Sequence, residues 1–164
     1  EYEEYVSNTF GIKFMAPTYW QWPQEDAGTT SLTFQEPMTD IRSGEAIPAN
    51  VFITVSTLPT TQTTQDASSA LDQWITDQRA EYPSLETSSK AENSMMGEKG
   101  SYVTYWIQMQ KPNAEEGDTL RMRGRCLIVP RDKRLYMISY LCPAEFNTEY
   151  EKVFKKIRDT IEEL

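Results

Sequence analysis

Apolar and polar residues alternate along three consecutive stretches of the chain, residues 101–110, 119–130 and 134–142. In the first of these stretches Ile107 falls on one side and Trp106 on the other. Because successive side chains of a β-strand point to opposite faces, this alternation predicts three neighbouring strands. Short polar connections separate the stretches, so we expect an antiparallel meander near the end of the chain.

The apolar residues also indicate how these strands pair. Placing Trp106 opposite Arg123 keeps the apolar side chains of the first two strands together on one face. A two-residue turn at residues 131–132 would join the second strand to the third and place Cys126 opposite Met137. The sequence thus predicts one apolar face and one polar face.

The polar face of the meander contains the strongest candidate for a binding site. The expected pairing places Trp106, Arg123 and Tyr140 in a row, with Arg121 and Arg125 beside them. An arginine over an indole ring makes a cation–π contact, and guanidinium groups bind carboxylates through paired hydrogen bonds. Two interpretations remain open: a surface for a ligand or partner, or a stripe neutralised by acidic residues of the first predicted helix or of a loop.

Two stretches show the periodicity of about 3.6 residues that amphipathic helices require. The first, residues 67–82, stops before Pro83 and has Asp66 or Thr64 as its capping residue. The second, residues 143–164, has a continuous apolar stripe made of Phe146, Tyr150, Val153, Phe154, Ile157, Ile161 and Leu164. We expect this terminal helix to pack on the sheet and to be essential for stability.

Further strands are expected upstream at residues 10–14, 31–35, 51–58 and 84–96. The third of them is β-branched and apolar on both faces, which is typical of a central strand. Residues 1–9 are acidic and are expected to form an N-terminal arm.

An aromatic corner made of Tyr19, Trp20 and Trp22 follows the first predicted strand. Pro17 ends that strand, because proline cannot donate a hydrogen bond to the sheet. The corner is interpreted either as a structural plug at the end of the core or as an aromatic platform for a ligand.

Composition excludes several classes of function. The chain of 164 residues contains no histidine, so Ser-His-Asp and Cys-His catalysis and histidine metal sites are excluded. The net charge of −9 argues against nucleic acid as a partner, because phosphate contacts need clustered lysine and arginine.

Two groups of carboxylates occur in polar segments, Glu25-Asp26 and Glu115-Glu116-Asp118. Neither has the spacing of a calcium-binding loop, and we find no glycine-rich phosphate loop, nucleophile elbow or zinc-binding cysteine pattern. We expect solvated turns at both places and predict no metal site, no cofactor and no catalytic residue.

The two cysteines, Cys126 and Cys142, fall on opposite faces of the expected hairpin. Disulfide-bonded cysteines have Cα atoms within roughly 7 Å of each other. We therefore expect two small apolar core residues rather than a disulfide.

The order of these elements resembles a known family, the PsbP-like superfamily. The resemblance extends over residues 10–164 and is clearest in the stretches FGIKFMAPTYW, GEKGSYVTYWIQ, RLYMISYLCP and FKKIRDTIEEL. The family includes an extrinsic photosystem II subunit, a Ran-binding import factor and bacterial exported lipoproteins. The resemblance implies one α+β domain over residues 1–164, with a single antiparallel sheet flanked by helices on both faces as an α-β-α sandwich.

The resemblance also implies a function without catalysis. We expect an exported binding or accessory module, extracytoplasmic, that recognises a protein or a cell-envelope ligand. The sequence has no apolar run of about 18 residues, so a membrane tether would belong to a leader removed from this chain. Two alternatives are a chaperone-like module that shelters a hydrophobic client segment and a carboxylate-dependent glycan hydrolase.

Overall fold

The structure, a computed structural model, describes residues 1–36, 52–59, 66–110, 119–132 and 134–164. Its helices are α1 (Ala67–Glu81), a 3-10 turn (Ala144–Phe146) and α2 (Asn147–Thr160). Its strands are β1 (Tyr2–Ser7), β2 (Ile12–Pro17), β3 (Ser31–Gln35), β4 (Phe52–Pro59), β5 (Glu86–Thr87), β6 (Ala91–Met95), β7 (Glu98–Gln110), β8 (Thr119–Arg131), β9 (Arg134–Pro143) and β10 (Glu162–Glu163).

The strands form two sheets, and the expectation of a single sheet was wrong. The large sheet has the order β3-β4-β9-β8-β7-β5, and β6 also pairs with β7. The small sheet has the order β1-β2-β10. All the pairings are antiparallel, so the α+β class and the β7-β8-β9 meander are confirmed.

The small sheet arises because the N-terminal stretch is a strand rather than a free arm. Tyr5 and Ser7 of β1 are buried, and Gly11, at φ +66°, lies in the turn that leads into β2. A positive φ is easily adopted only by a residue without a Cβ. The acidic side chains of β1 are exposed, which is why this stretch reads as an arm in the sequence.

The first hairpin of the meander has the predicted register, and the second does not. Trp106 pairs with Arg123, as expected. Cys126 pairs with Ser139 instead of Met137, because the turn is centred one residue later than expected, next to Asp132 at φ +50°. A shift of two residues exchanges partners but leaves each side chain on its predicted face.

Helix α1 begins as the sequence predicts. The carboxylate of Asp66 accepts a hydrogen bond from the backbone N–H of Ser69 at 2.8 Å, which caps the helix. Leu71 is fully buried in a cluster that includes Val103 and Cys126 of the sheet. The helix therefore packs against the apolar face of the meander.

Helix α2 is shorter than its apolar stripe suggests. Tyr150, Val153, Phe154 and Ile157 are buried, as predicted. However, the chain leaves the helix at Ile161, which stays buried in an extended conformation, and residues 162–163 form β10. The expectation that Leu164 belongs to the buried stripe was wrong, since it is 60% exposed.

The remaining strands follow the predicted order with different limits. β4 lies between β3 and β9, so its central position is confirmed. The stretch at residues 84–96 contains two short strands, β5 and β6, instead of one. No helix in the described part of the chain is long and apolar enough to cross a membrane.

Candidate functional site

Three of the four arginines of β8, Arg121, Arg123 and Arg125, have different environments. Arg125 donates to the Glu151 carboxylate of α2 at 3.0 Å and to the Tyr102 hydroxyl of β7 at 2.6 Å. Lys155 also binds Glu151, and its hydrogen bond, together with the charge of Arg125, holds the pKa of that carboxyl below its ordinary value. Arg125 is thus neutralised, and the acidic partner comes from α2 rather than from the first helix.

Tyr140 is a core residue in this structure. It pairs with Arg125, not with Arg123, because of the shifted register. Its side chain is only 1% exposed, and its hydroxyl donates to Oδ1 of Asn147 at 2.6 Å. Its ring packs against Phe154 of α2 at a centroid distance of 5.6 Å. Tyr140 therefore supports the helix and presents no ring to a partner.

The other members of the predicted site lie together, and we call Trp106, Arg121 and Arg123 the arginine patch. The guanidinium carbon of Arg123 is 5.6 Å from the centre of the Trp106 ring, within the range of a cation–π contact. Arg121, two residues along the same face of β8, is exposed, whereas the other two are half-buried. The Nε of Arg123 is buried and has no hydrogen-bond partner.

The position of the arginine patch follows from the unequal lengths of the strands. The last pair that β9 makes with β8 joins Pro143 to Met122. The β7-β8 pair continues beyond that point to Gln110 and Thr119. The patch therefore lies where the meander narrows from three strands to two.

The edge of β7 beside the patch is bound by serine hydroxyls. Oγ of Ser84 accepts the backbone N–H of Gln108 at 3.0 Å, and Oγ of Ser88 accepts that of Thr104 at 3.0 Å. β5, with two residues, lies between them. This arrangement satisfies the edge of the sheet without a full strand and discourages pairing with another chain.

A small cavity adjoins the patch between Glu86, Trp106 and Arg121. Its volume is about 60 Å³. Small-molecule sites usually have volumes of roughly 300–1,000 Å³. The arginine patch is therefore better suited to contact the surface of a larger partner than to enclose a ligand.

The aromatic corner is mostly part of the core. Trp20 is 5% exposed and packs on Tyr150 at a centroid distance of 5.0 Å. Trp22 donates its indole N–H to the carbonyl of Pro17 at 2.8 Å. Tyr19 alone of the three is exposed, at 53%. The two indoles thus have the contacts of a structural plug.

Sequence reasoning missed the role of Glu25, for which we expected a solvated turn. Its carboxylate accepts hydrogen bonds from the hydroxyls of Tyr5 and Ser7 in β1, the second at 2.6 Å. Burial alone would raise the pKa of Glu25, but hydrogen bonds from Ser7, Tyr5 and Thr9 lower it below its ordinary value. The hydroxyls that alternate along β1 were the available signal.

The neighbouring Asp26 only stabilises its own turn, where its carboxylate accepts the N–H of Gly28 at 2.8 Å. The second carboxylate group, at residues 115, 116 and 118, lies outside the described residues, as does Thr64. Within the described ranges no group of three or more acidic or cysteine side chains is placed to hold a metal ion.

Both cysteines are free and buried. Burial raises the pKa of the Cys126 and Cys142 thiols, so neither is a reactive thiolate at neutral pH. Their contribution is to packing.

No protein-family model and no curated protein matches the sequence. Solved structures, in contrast, can be superposed on this chain over almost its whole length. The Ran-binding protein Mog1p of Saccharomyces cerevisiae aligns with a TM-score of 0.60 at 11% identity, over 98% of this chain and 94% of that one. Cyanobacterial PsbP (CyanoP) from Synechocystis aligns with a TM-score of 0.59 at 9% identity, over 99% and 92%.

A third solved structure is LpqN, a protein involved in cell envelope biogenesis of Mycobacterium tuberculosis. It aligns with a TM-score of 0.53 at 10% identity, over 99% of this chain and 90% of that chain. At such low identity the likeness concerns the fold alone. The chain has a PsbP-like fold, as the sequence resemblance predicts.

Proposed function

We propose that this protein is a non-enzymatic binding module that recognises an acidic segment of a protein partner through the arginine patch. The observation that carries the proposal is the difference between neighbouring arginines. Arg125 has its own carboxylate in α2. Arg121 is exposed, and Arg123 is half-buried beside the ring of Trp106.

The residue types of the patch support this function. Arginine forks bind carboxylates through two parallel hydrogen bonds, and tryptophan and arginine dominate the binding energy of protein interfaces. The rest of the molecule is acidic, with a net charge of −9. An acidic polymer such as nucleic acid would be repelled, whereas a short acidic segment could contact the patch alone.

The comparisons agree with a binding role without specifying it. Mog1p is described as Ran-binding, and LpqN is involved in cell envelope biogenesis. We extend the proposal to a partner that is either a protein or a component of the cell envelope. We also propose that the present protein is lipid-anchored and binds this partner outside the cytoplasm. Fractionation of cells that produce the full-length protein tests the location.

We also propose that α1 and α2 flank the large sheet on opposite faces as an α-β-α sandwich. α1 packs with Val103 and Cys126, whereas α2 contacts Tyr102 and Arg125, which alternate with them along the strands. An experimental structure tests this layering.

The two alternative functions gain less support. A chaperone needs a contiguous apolar surface, whereas the large hydrophobic side chains exposed in the described part of the chain are Val6, Tyr19 and Leu164. A glycan hydrolase needs a carboxylic acid that gives up its proton near neutral pH, whereas the pKa of Glu25 and of Glu151 is lowered.

A peptide titration tests the arginine patch. We expect a fluorescent hexaglutamate peptide to bind with a salt-dependent affinity and the Arg121→Ala/Arg123→Ala variant to bind about tenfold more weakly or worse, because charged hydrogen bonds contribute about 1.5–3 kcal/mol. Fluorescence anisotropy measures the affinity, and the melting temperature should not change.

A matched control separates the patch from net charge. The Arg79→Ala/Arg134→Ala variant removes two exposed arginines elsewhere. It should bind the peptide as the parent does. Equal weakening of both variants, or no binding by the parent, would contradict the proposal.

A further inference from the structure

A second cavity lies between the last turns of α1 and the large sheet. Its volume is about 270 Å³, close to the lower end of the range for small-molecule sites, roughly 300–1,000 Å³. Its lining includes Trp74, Gln78, Glu81, Tyr82, Tyr105 and Leu141. It is separate from the arginine patch, and the sequence did not suggest it.

The helix contributes its lining residues from one face. Trp74, Gln78, Glu81 and Tyr82 are spaced four, seven and eight residues apart, which places them together on the side turned to the sheet. The Trp74 ring lies 5.0 Å from the Tyr105 ring at an angle of 69°. The cavity therefore has an aromatic wall from the helix and one from β7.

A glycine fixes the wall that the sheet contributes. Tyr105 pairs with Gly124, and its hydroxyl donates to the carbonyl of Tyr140 at 2.9 Å. A Cβ at position 124 would lie 2.5 Å from Cζ of Tyr105. The Tyr105 ring can lie across the neighbouring strand β8 only because Gly124 has no side chain.

The electrostatic environment of this cavity favours positive charge. Four aromatic residues and Glu81 line it, and none of the described lining residues is basic. Aromatic rings attract cations through the negative potential of their faces. The cavity also lies at the C-terminal end of α1, where the helix dipole is negative, in a protein with a net charge of −9.

We propose that this cavity binds a small organic cation with a trimethylammonium head. A cation of this kind combines apolar methyl groups, which suit aromatic walls, with a charge that suits Glu81 and the end of the helix. Quaternary ammonium groups are bound by aromatic residues for these reasons. The proposal does not depend on the function of the arginine patch.

Choline and its uncharged analogue 3,3-dimethylbutan-1-ol test the proposal, because they have the same shape and differ in charge. We expect choline to shift the NMR signals of the Trp74 indole N–H and of residues 78–82 in a saturable way. The analogue should bind about tenfold more weakly or worse. Similar affinities for the two compounds, or no saturable shift at these residues, would overturn the proposal.

Two variants on the same helix locate the binding. Glu81→Gln should weaken choline binding about three- to tenfold, because it removes the carboxylate at the cavity. Asp77→Asn makes the same change of charge at an exposed position outside the lining and should bind choline as the parent does. Equal weakening by both variants would mean general attraction to an acidic protein and would overturn the site.

Trp74→Phe gives an independent test at an aromatic lining residue of the cavity. Phenylalanine keeps an aromatic ring in a partly buried position but has a weaker cation–π attraction than tryptophan. We expect about threefold weaker choline binding with unchanged affinity for the neutral analogue. Unchanged choline affinity in this variant would contradict the aromatic role of Trp74.

Discussion

Two glycines of the large sheet occupy positions where any side chain would meet the backbone of the neighbouring strand. A Cβ on Gly124 would lie 2.2 Å from the carbonyl oxygen of Tyr140, and one on Gly100 would lie 1.9 Å from that of Ile128. Contacts this short force the backbone to move. At the scale of single residues, these two glycines thus allow close contact between neighbouring strands, and Gly124 also leaves room for the Tyr105 ring that lines the cavity beside α1.

Replacing Gly124 by alanine should destabilise the protein by about 1–3 kcal/mol, because the added methyl group overpacks the sheet under Tyr105. Urea unfolding measures the change. Gly28→Ala is the matched control, since its Cβ would only approach the side chain of Asp26 at 3.4 Å, and it should change stability by no more than about 0.5 kcal/mol. Equal stability of the Gly124→Ala variant and the parent would contradict this account.

Three arginines of β8 show what the alternation of residues along a strand can and cannot predict. A period of two places Arg121, Arg123 and Arg125 on one face, and they are found there. Which of them keeps its charge exposed depends on where Glu151 lies, and that position is set by the packing of α2. The exposure of a single side chain therefore depends on tertiary contacts, which the alternation of residues along one strand does not show.

The terminal helix shows the same limit at the scale of an element. Its buried stripe is predicted correctly from the 3.6-residue period. Its end is not, because Ile161 stays buried outside the helix, and Arg131 binds Glu163 at 2.7 Å in the strand that follows. An apolar stripe indicates which residues are buried, whereas the residue at which the helix ends depends on contacts with strands that are distant in sequence.

Disturbing the packing of helix α2 should be costly, because its apolar face is buried. Phe154 is fully buried against Tyr102 and Tyr140. Phe154→Ala should lower the free energy of unfolding by about 3–5 kcal/mol, because it leaves a cavity between α2 and the sheet. Chemical denaturation measures this loss.

Lys152→Ala is the control for that experiment, since Lys152 is exposed on the same helix. It should change stability by no more than about 0.5 kcal/mol. Comparable losses in the two variants would contradict the account that burial of Phe154 decides the effect, since alanine favours the helix at both positions.

Across the whole molecule, ionised carboxylates link elements that are distant in sequence. Glu25 joins its loop to β1, and Glu151 joins α2 to Arg125 of β8. The pKa of each is lowered in the folded protein. Their contribution to stability is therefore present above the unfolded pKa of about 4.3 and is lost as the pH falls through the lower folded value.

We expect the free energy of unfolding to fall between about pH 5 and pH 3, with a shallower slope in the Glu25→Gln variant, which has one fewer carboxylate to protonate. Urea unfolding at a series of pH values measures both slopes. Glu3→Gln makes the same change of charge at an exposed position of β1 and should keep the slope of the parent. A parent slope in the Glu25→Gln variant would show that Glu25 has no part in the acid sensitivity.

The whole fold was predictable in outline because its largest parts have strong periodic patterns. The meander, α1 and the stripe of α2 together indicate the PsbP-like arrangement. The small sheet was missed because β10 has two residues, too few for any period, and the exposed acids of β1 hide its alternation. Strands of this kind are specified by their partners rather than by their own sequence.

The pairing of β2 with β10 has a consequence for biosynthesis. Lys13 meets Glu162, so two positions near opposite ends of this sequence become neighbours. During translation the N-terminal hairpin emerges first and must keep one edge of β2 unpaired until the residues of β10 leave the ribosome. Sheets that close between distant segments form late and leave exposed edges in the meantime. The nascent chain is therefore open to mispairing at the edge of β2 until β10 has been synthesised.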